Sequence, residues 1–82
     1  MQDPRDPVTI AQAAQRLDRP EATLRVWASR HHARKIPFKP GKTAWYDYND
    51  LAAIDGYLYR GERVPPTPEE RDGLRAQRRA AA

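Results

Sequence analysis

Pro20 constrains the fold of this chain more than any other residue, because it divides a run of apolar residues at helical spacing into two short segments. Proline disfavours helical conformation at the preceding residue, Arg19, and fits the first turn of a new helix. Before the break, apolar side chains recur at helical spacing: Ile10, Ala14 and Leu17. After it, one helical face carries Leu24, Trp27, Ala28 and His31. The pattern predicts two helices joined by about three residues, as in a helix-turn-helix.

Capping residues predict where the first of these helices begins. Thr9 is a good N-cap, and Gln12 three residues later completes a capping box. We therefore expect the first helix to start after Thr9 and residues 1–8 to form a loose N-terminal arm. The second helix is expected from about Pro20 to His32, with Leu24 and Trp27 on its buried face.

Residues 35 to 47 have the composition of a small β-hairpin. A short apolar run, Ile36-Pro37-Phe38, precedes a turn signal, Pro40-Gly41-Lys42, and the strand-prone segment Ala44-Trp45-Tyr46. Pro37 cannot donate a hydrogen bond to a ladder, so its strand should lie at an edge.

Asp47 predicts the start of a third helix, because a carboxylate there caps the helix and favours the positive end of its dipole. The apolar stripe of this helix is expected to consist of Leu51, Ile54 and Leu58, and Gly61 is expected to end it. Residues 9–59 are thus predicted to form one mainly α domain with a small β-hairpin.

Residues 60–82 are predicted to be a proline-containing linker followed by a helical tail. Thr67 and Glu70 form a second capping box at the start of that helix. Leu74 is the tail's only large apolar residue, so the tail cannot bury an apolar stripe within this chain. We expect it either to fray or to be ordered by a partner.

The composition argues against catalysis. The chain has 82 residues, enough for one domain, and it has no cysteine and one serine. His31 and His32 are adjacent and do not share a helix face, so they make a poor metal site. Asp47 and Asp50 are explained as a cap and a first-turn acid. The expectation is no enzyme, no metal and no cofactor.

The ends and hydropathy of the chain predict a cytoplasmic protein. The first seven residues are polar and proline-rich, without the apolar region of a signal peptide. No apolar run approaches the roughly 20 residues that span a bilayer. The absence of cysteine fits a reducing compartment. We therefore expect the cytoplasm or nucleoid of a bacterial host and no membrane partner.

Positive charge is concentrated in the middle of the chain. The net charge is +4, and the sequence pI is about 9.9. Residues 16–42 hold eight lysines and arginines against two acidic residues, whereas the segments on either side each sum to −1. This distribution predicts a surface that binds an anionic partner.

The order of elements between Val8 and Leu58 resembles the MerR-like winged helix-turn-helix, in the small form found in phage excisionases and related regulators. Three stretches carry the resemblance: residues 9–17 (TIAQAAQRL), 23–27 (TLRVW) and 41–51 (GKTAWYDYNDL). The resemblance implies that the second helix enters the major groove of double-stranded DNA. It also implies that the hairpin is a wing at the adjacent minor groove.

The candidate DNA-binding residues that follow lie in the turn, on the second helix and along the hairpin: Arg19, Ala22, Arg25, Val26, Ser29, Arg30, Arg34, Lys35, Lys39, Lys42 and Thr43. Arg25 is the best base reader, because its planar fork pairs with O6 and N7 of guanine. Arg19 and Arg30 flank that face and suit phosphates. The alternatives are solvated arginines at Arg25 and Arg30, and edge protection of the hairpin at Lys39 and Lys42.

A second set of residues is predicted to contact proteins: Trp45, Arg71, Leu74, Arg75 and Arg78. Trp45 has three open alternatives, which are packing on the first helix, contact with the DNA backbone, and a protein interface. Trp27 is expected in the core and Tyr46 to point inward.

The resemblance implies a recombination directionality factor, or excisionase. Copies would assemble head to tail on attachment-site DNA, bend it and direct a tyrosine-recombinase integrase toward prophage excision. Compactness and the lack of a long dimerising helix after the wing favour this role over a small transcriptional regulator on the same fold. A terminase small-subunit fragment is a lesser DNA-binding alternative. A protein-interaction adaptor with a basic face is an alternative of another class.

Overall fold

In a computed structural model, which describes residues 5–37 and 41–81, four helices and one tiny antiparallel sheet form a mainly α domain. In chain order the elements are β1 (Pro7–Val8), α1 (Ile10–Leu17), α2 (Glu21–Arg30), β2 (Tyr46–Asp47), α3 (Tyr48–Tyr59) and α4 (Pro68–Ala81). The Cα radius of gyration is 12.6 Å, close to the roughly 12 Å expected of one folded domain of this length. The predicted fold class is confirmed at this level.

Helix α1 begins and ends through local side-chain and backbone chemistry. The Thr9 hydroxyl accepts a hydrogen bond from Gln12 N at 3.2 Å, and the Gln12 side chain accepts one from Thr9 N at 3.1 Å, which confirms the capping box. The helix ends because Asp18 adopts a left-handed conformation with φ of 56°. Aspartate tolerates this region better than most residues, so it substitutes here for the glycine that is frequent in such turns.

Helix α2 ends two residues earlier than expected. His32 has φ of 52°, and the following residue, Ala33, donates its N–H to the carbonyl of Ala28 at 3.1 Å. This bond satisfies one of the last helical carbonyls and closes the helix at Arg30. The sequence carries no glycine or proline at this point, so it lacked a stop signal.

The sheet joins two segments that the sequence analysis did not pair. Pro7 is opposite Asp47 and Val8 is opposite Tyr46 in an antiparallel register. Val8 is 4% exposed and belongs to the core, and Asp6 N donates to Asp47 Oδ1 at 3.1 Å. Burial of Val8 and this bond order the segment, which corrects the expectation of a loose arm over this part of residues 1–8.

In the described part of the predicted hairpin, residues 35–37 and 41–47, one isolated antiparallel bridge is formed. Lys35 pairs with Tyr46, Ile36 N bonds to Trp45 O at 2.8 Å, and Asp47 N bonds to Arg34 O at 2.9 Å. Pro37 lies in a turn rather than in an edge strand. Residues 38–40, which include the predicted turn residue Pro40, lie outside the described residues.

One small cluster of buried side chains forms the core: Val8, Ala13, Ala14, Leu24, Ala28, Ala33, Leu51 and Ile54. Half of these residues are alanines, so each contributes little apolar area. Trp27 and Tyr46 pack against the cluster while partly exposed.

Helix α3 begins as predicted and buries a slightly different face. Asp47 Oδ1 accepts a hydrogen bond from Asn49 N at 3.1 Å, and Gly61 follows the helix with φ of 70°. Leu58 was expected in the buried stripe but is 38% exposed, whereas Tyr57 is 6% exposed. Tyr57 is covered because α4 packs against α3.

Helix α4 is ordered by contacts within the chain. The Thr67 hydroxyl accepts a hydrogen bond from Glu70 N at 3.2 Å, as the sequence predicted. The helix then packs on α3 through arginine side chains rather than through an apolar stripe. This corrects the expectation that the tail frays or needs a partner, an expectation that considered only apolar burial.

Candidate nucleic-acid interface

Helix α2 presents one face to the core and one to solvent. Leu24 and Ala28 are buried. The predicted contact residues of this helix are all exposed: Ala22, Arg25, Val26, Ser29 and Arg30. Val26 is 48% exposed, a large fraction for a branched apolar side chain. The outward face of α2 therefore joins polar, cationic and apolar groups at the surface of the molecule.

Two shallow depressions meet at Arg25. One is bordered by Arg25, Ser29, His32 and Lys35, with Tyr46 beneath. The other is bordered by residues of α2, of the segment before β2 and of the start of α1: Glu21, Arg25, Thr43, Ala44, Thr9 and Ile10. Lys35 and Thr43, which were predicted to lie on the hairpin, thus adjoin the same side chain of α2. The three residues belong to one surface.

Ion pairs with distant acids neutralise part of the predicted basic segment. Arg16 pairs with Asp6 at 2.7 Å, and Arg19 pairs with Asp55 at 3.0 Å. Arg16 also lies over the ring of Tyr48, 4.2 Å from its centroid. The charge excess calculated along residues 16–42 therefore overstates the charge presented to a partner, because the compensating acids come from other parts of the chain.

Arg34 is held inside the molecule. Its side chain is 17% exposed, lies 2.8 Å from Asp72 and 3.7 Å from Glu69, and both acids belong to α4. Its backbone N–H donates to Asp50 Oδ2 at 2.8 Å. A phosphate would have to compete with Asp72 for this guanidinium, and the DNA contact assigned to Arg34 stays a prediction. Arg34 joins α4 to the segment that follows α2.

The remaining predicted cations are exposed. Within residues 5–37 and 41–81, Arg30, Lys35 and Lys42 have no ion pair with an acidic side chain. Arg25 pairs with Glu21 one helical turn earlier at 3.2 Å, but both side chains are largely exposed. Such a pair is worth about 0.3–0.5 kcal/mol. Lys39 lies outside the described residues, and its predicted role stays untested.

Arg71 is fully buried, which corrects its prediction as a protein-contact residue. All five of its N–H groups are used. Nε and Nη2 donate to the two carboxylate oxygens of Asp50, both at 2.7 Å. Nη1 donates to the carbonyls of His31 and Pro65, and Nη2 donates a longer bond to His32 O. One side chain of α4 therefore holds the start of α3, the end of α2 and the linker.

The other predicted protein-contact residues remain at the surface. Leu74 is 38% exposed. Arg75 donates to Asn49 O at 3.0 Å and pairs with Asp72, while Arg78 pairs with Glu62 at 3.5 Å. Trp45 is half-buried beside the bridge, and its three alternatives stay open.

The titratable groups near α2 serve structural contacts. Burial lowers the pKa of His31, and the positive charges of Arg71, Arg30 and His32 lower it further. Asp47 and Asp50 are both buried and are committed to backbone and arginine partners. Among the residues that the structure describes, no group of three or more histidines and acids is arranged to hold a metal ion.

Two contributors were missed in the sequence analysis. His32 borders the depression beside Arg25, and the left-handed conformation that places it there has no signal in the sequence. The Asp50–Arg71 pair was missed because Asp50 was explained as a first-turn acid and Arg71 as a surface residue. An acid and an arginine 21 positions apart have no periodic relationship that would pair them.

No protein-family model, no curated protein and no solved structure matches the chain. No helix in the described ranges has both the length and the apolar content to cross a membrane.

Proposed function

We propose that this chain binds double-stranded DNA as a small winged helix-turn-helix, with the outward face of α2 in the major groove. The observation that carries the proposal is the meeting of the α2 face with Lys35 and Thr43 at Arg25. In this reading α1 and α2 are the two helices of the motif and residues 18–20 are its turn. A helix of this diameter fits the major groove of B-form DNA.

Arg25 is proposed as the base-reading residue. Its exposed pair with Glu21 stabilises the free protein by about 0.3–0.5 kcal/mol, whereas a bidentate contact with guanine discriminates by about 1–3 kcal/mol. Exchange of Glu21 for a base is therefore expected to be favourable in free energy for the Arg25 guanidinium. Val26 and Ala22 are suited to the methyl group of thymine, and Ser29 to a base or a phosphate.

The cations around α2 are proposed to contact phosphates. Arg30 lies at the edge of the helix face, and Lys35 and Lys42 lie on either side of the expected wing. Arg19 is also exposed enough to contribute, at the loss of its pair with Asp55. Phosphate contacts of this kind position the protein and make its affinity depend on salt.

The polar contacts of α4 support the proposal by fixing the geometry of this surface. Arg71 binds the carbonyls of His31 and His32, directly after α2. Arg34, one residue before Lys35, is held by Asp72. Helix α4 thus holds both the end of α2 and the base of the expected wing. This reduces the conformational entropy that the protein would otherwise lose on binding DNA.

The more specific proposal is an excisionase that bends attachment-site DNA and assembles with further copies and an integrase. Its support is the resemblance described above, together with the packing of α4 back onto α3 rather than into an extended coiled coil. A single module covers roughly 600–1,000 Å² of its surface, and bending costs about 1–6 kcal/mol, so contacts between neighbouring copies would be needed. A gene for an integrase beside this one would favour excision over transcriptional control.

The DNA-binding proposal is tested by fluorescence anisotropy with a random duplex of about 20 base pairs, two helical turns, over a range of salt concentrations. The four exposed cations Arg25, Arg30, Lys35 and Lys42 predict a slope of log affinity against log salt of about −2 to −4. Arg30→Gln should weaken binding and reduce the slope by about 0.9. Arg63→Gln removes the same charge from an exposed linker position and is the matched control. No binding at low salt, or equal losses in both variants, would reject the proposed surface.

A further inference from the structure

A narrow groove between α3 and α4 is lined by four arginines. Arg60, Arg71, Arg75 and Arg78 line a cavity of about 120 Å³ together with Ala53, Gly56 and Tyr57. Ala53, Gly56 and Arg60 share one strip of α3 by their spacing, whereas Leu51 and Ile54 face the core. The groove therefore lies on the side of α3 turned away from α1 and α2.

The four arginines differ in how fully acidic side chains neutralise their charge. Arg71 pairs with Asp50, and Arg75 pairs with Asp72 and donates to a backbone carbonyl. Arg60 and Arg78 both pair with one carboxylate, that of Glu62. Two exposed guanidinium groups thus share a single acid, so this part of the groove has one positive charge in excess.

The same two arginines frame an aromatic ring. The guanidinium carbons of Arg60 and Arg78 each lie 5.2 Å from the centroid of the Tyr57 ring. Glu62 is held next to them because its backbone N–H donates to Tyr57 O at 2.8 Å. The contact with Arg60, and more weakly the charge of Arg78, lower the pKa of Glu62. The Glu62 carboxylate is therefore held between two guanidinium groups beside a tyrosine ring.

We propose that the groove is a docking site for an acidic segment of a partner protein, whose carboxylate takes the place of Glu62 between Arg60 and Arg78. The groove already holds a carboxylate, that of Glu62, between Arg60 and Arg78, and this charge complementarity favours an acidic peptide over a DNA backbone. Arginine and tyrosine, which line this groove, are enriched in protein interfaces.

The test uses a short, labelled, end-blocked peptide of alternating glutamate and leucine, and the same peptide with glutamine in place of glutamate. In fluorescence anisotropy the full chain should bind the glutamate peptide and not the glutamine peptide. Glu62→Gln removes the internal competitor and should raise affinity roughly two- to fivefold, the range expected of an exposed ion pair. Glu70→Gln changes the net charge equally at an exposed position of α4 outside the groove, and should alter affinity much less.

Arg78→Gln should lower peptide affinity by a similar factor, because its side chain is 54% exposed and its loss does not threaten the fold. Equal binding of the two peptides, or equal effects of Glu62→Gln and Glu70→Gln, would overturn the proposal. Displacement of the bound peptide by a short DNA duplex with the Glu62→Gln variant would assign the groove to nucleic acid instead. Self-association that depends on Arg78 in sedimentation would assign it to a second copy of this chain.

Discussion

Replacement of Arg71 by methionine is the sharpest test of how this small domain is held together. Methionine keeps the length of the side chain and its helix propensity but removes five N–H donors and one charge. Asp50, fully buried, would then face the interior without its main partner. Breaking a buried pair by removing one partner costs about 3–5 kcal/mol.

That cost is large against the stability of the whole domain. At about 0.05–0.15 kcal/mol per residue, 82 residues give a free energy of unfolding of about 4–12 kcal/mol. Urea unfolding followed by tryptophan fluorescence measures the change. With a slope near 1–1.5 kcal/mol per molar, typical of a small domain, Arg71→Met should move the midpoint down by roughly 2–5 M.

Two further variants make this prediction specific. Arg75→Met removes an arginine from the same helix whose side chain is 35% exposed, and should cost less than about 1 kcal/mol. The cycle of Asp50→Asn, Arg71→Met and the double variant should give a coupling free energy of about 1–3 kcal/mol. If Arg71→Met stays within about 1 kcal/mol of the wild-type free energy of unfolding, or the cycle shows no coupling, the pair does not order α4.

Three other outcomes are expected. Arg25→Ala should weaken binding to the specific site by about 1–3 kcal/mol more than binding to random DNA in anisotropy titrations, and equal losses would contradict its base-reading role. Lys42→Gln should reduce the salt slope of DNA binding by about 0.9. An unchanged slope would show that the wing does not contact phosphates. Because burial and the charge of Arg71 lower the pKa of His31 in the folded state, the unfolded chain takes up its proton first as pH falls. The free energy of unfolding should therefore be constant above pH 6.5, the ordinary pKa of histidine, and decline below it. His31→Gln should flatten that decline in urea titrations at several pH values, and a decline of equal size in this variant would exclude His31 as its source.

The features that the sequence predicted well are those set by local chemistry. Thr9, Asp47 and Thr67 each cap the helix that was expected to follow, because an N-cap needs only a short side chain and a free backbone N–H within a few residues. The face of α2 was also predicted correctly, because helical spacing determines which residues share a side.

The features that were missed depend on contacts between distant parts of the chain. Pro7–Val8 pairs with residues 46–47, and a two-residue strand has no detectable alternation in the sequence. Arg71 orders α4 by polar bonds to the ends of other elements, whereas the sequence analysis looked for an apolar stripe. Arg34 was assigned to the DNA-binding surface from the basic segment and the resemblance, and its pair with Asp72 was not foreseen. Partners of buried charges are decided by tertiary geometry, which periodicity does not report.

The central claim, that DNA is bound by the outward face of α2 and the adjoining wing, is tested most directly by mapping the contact. Amide chemical shifts of the labelled protein, recorded during titration with a short duplex, distinguish the two sides of the molecule. Changes are expected to concentrate at Arg25, Ser29, Lys35 and Thr43, with little change around Tyr57. Changes concentrated between α3 and α4, with the α2 face unaffected, would contradict the claim.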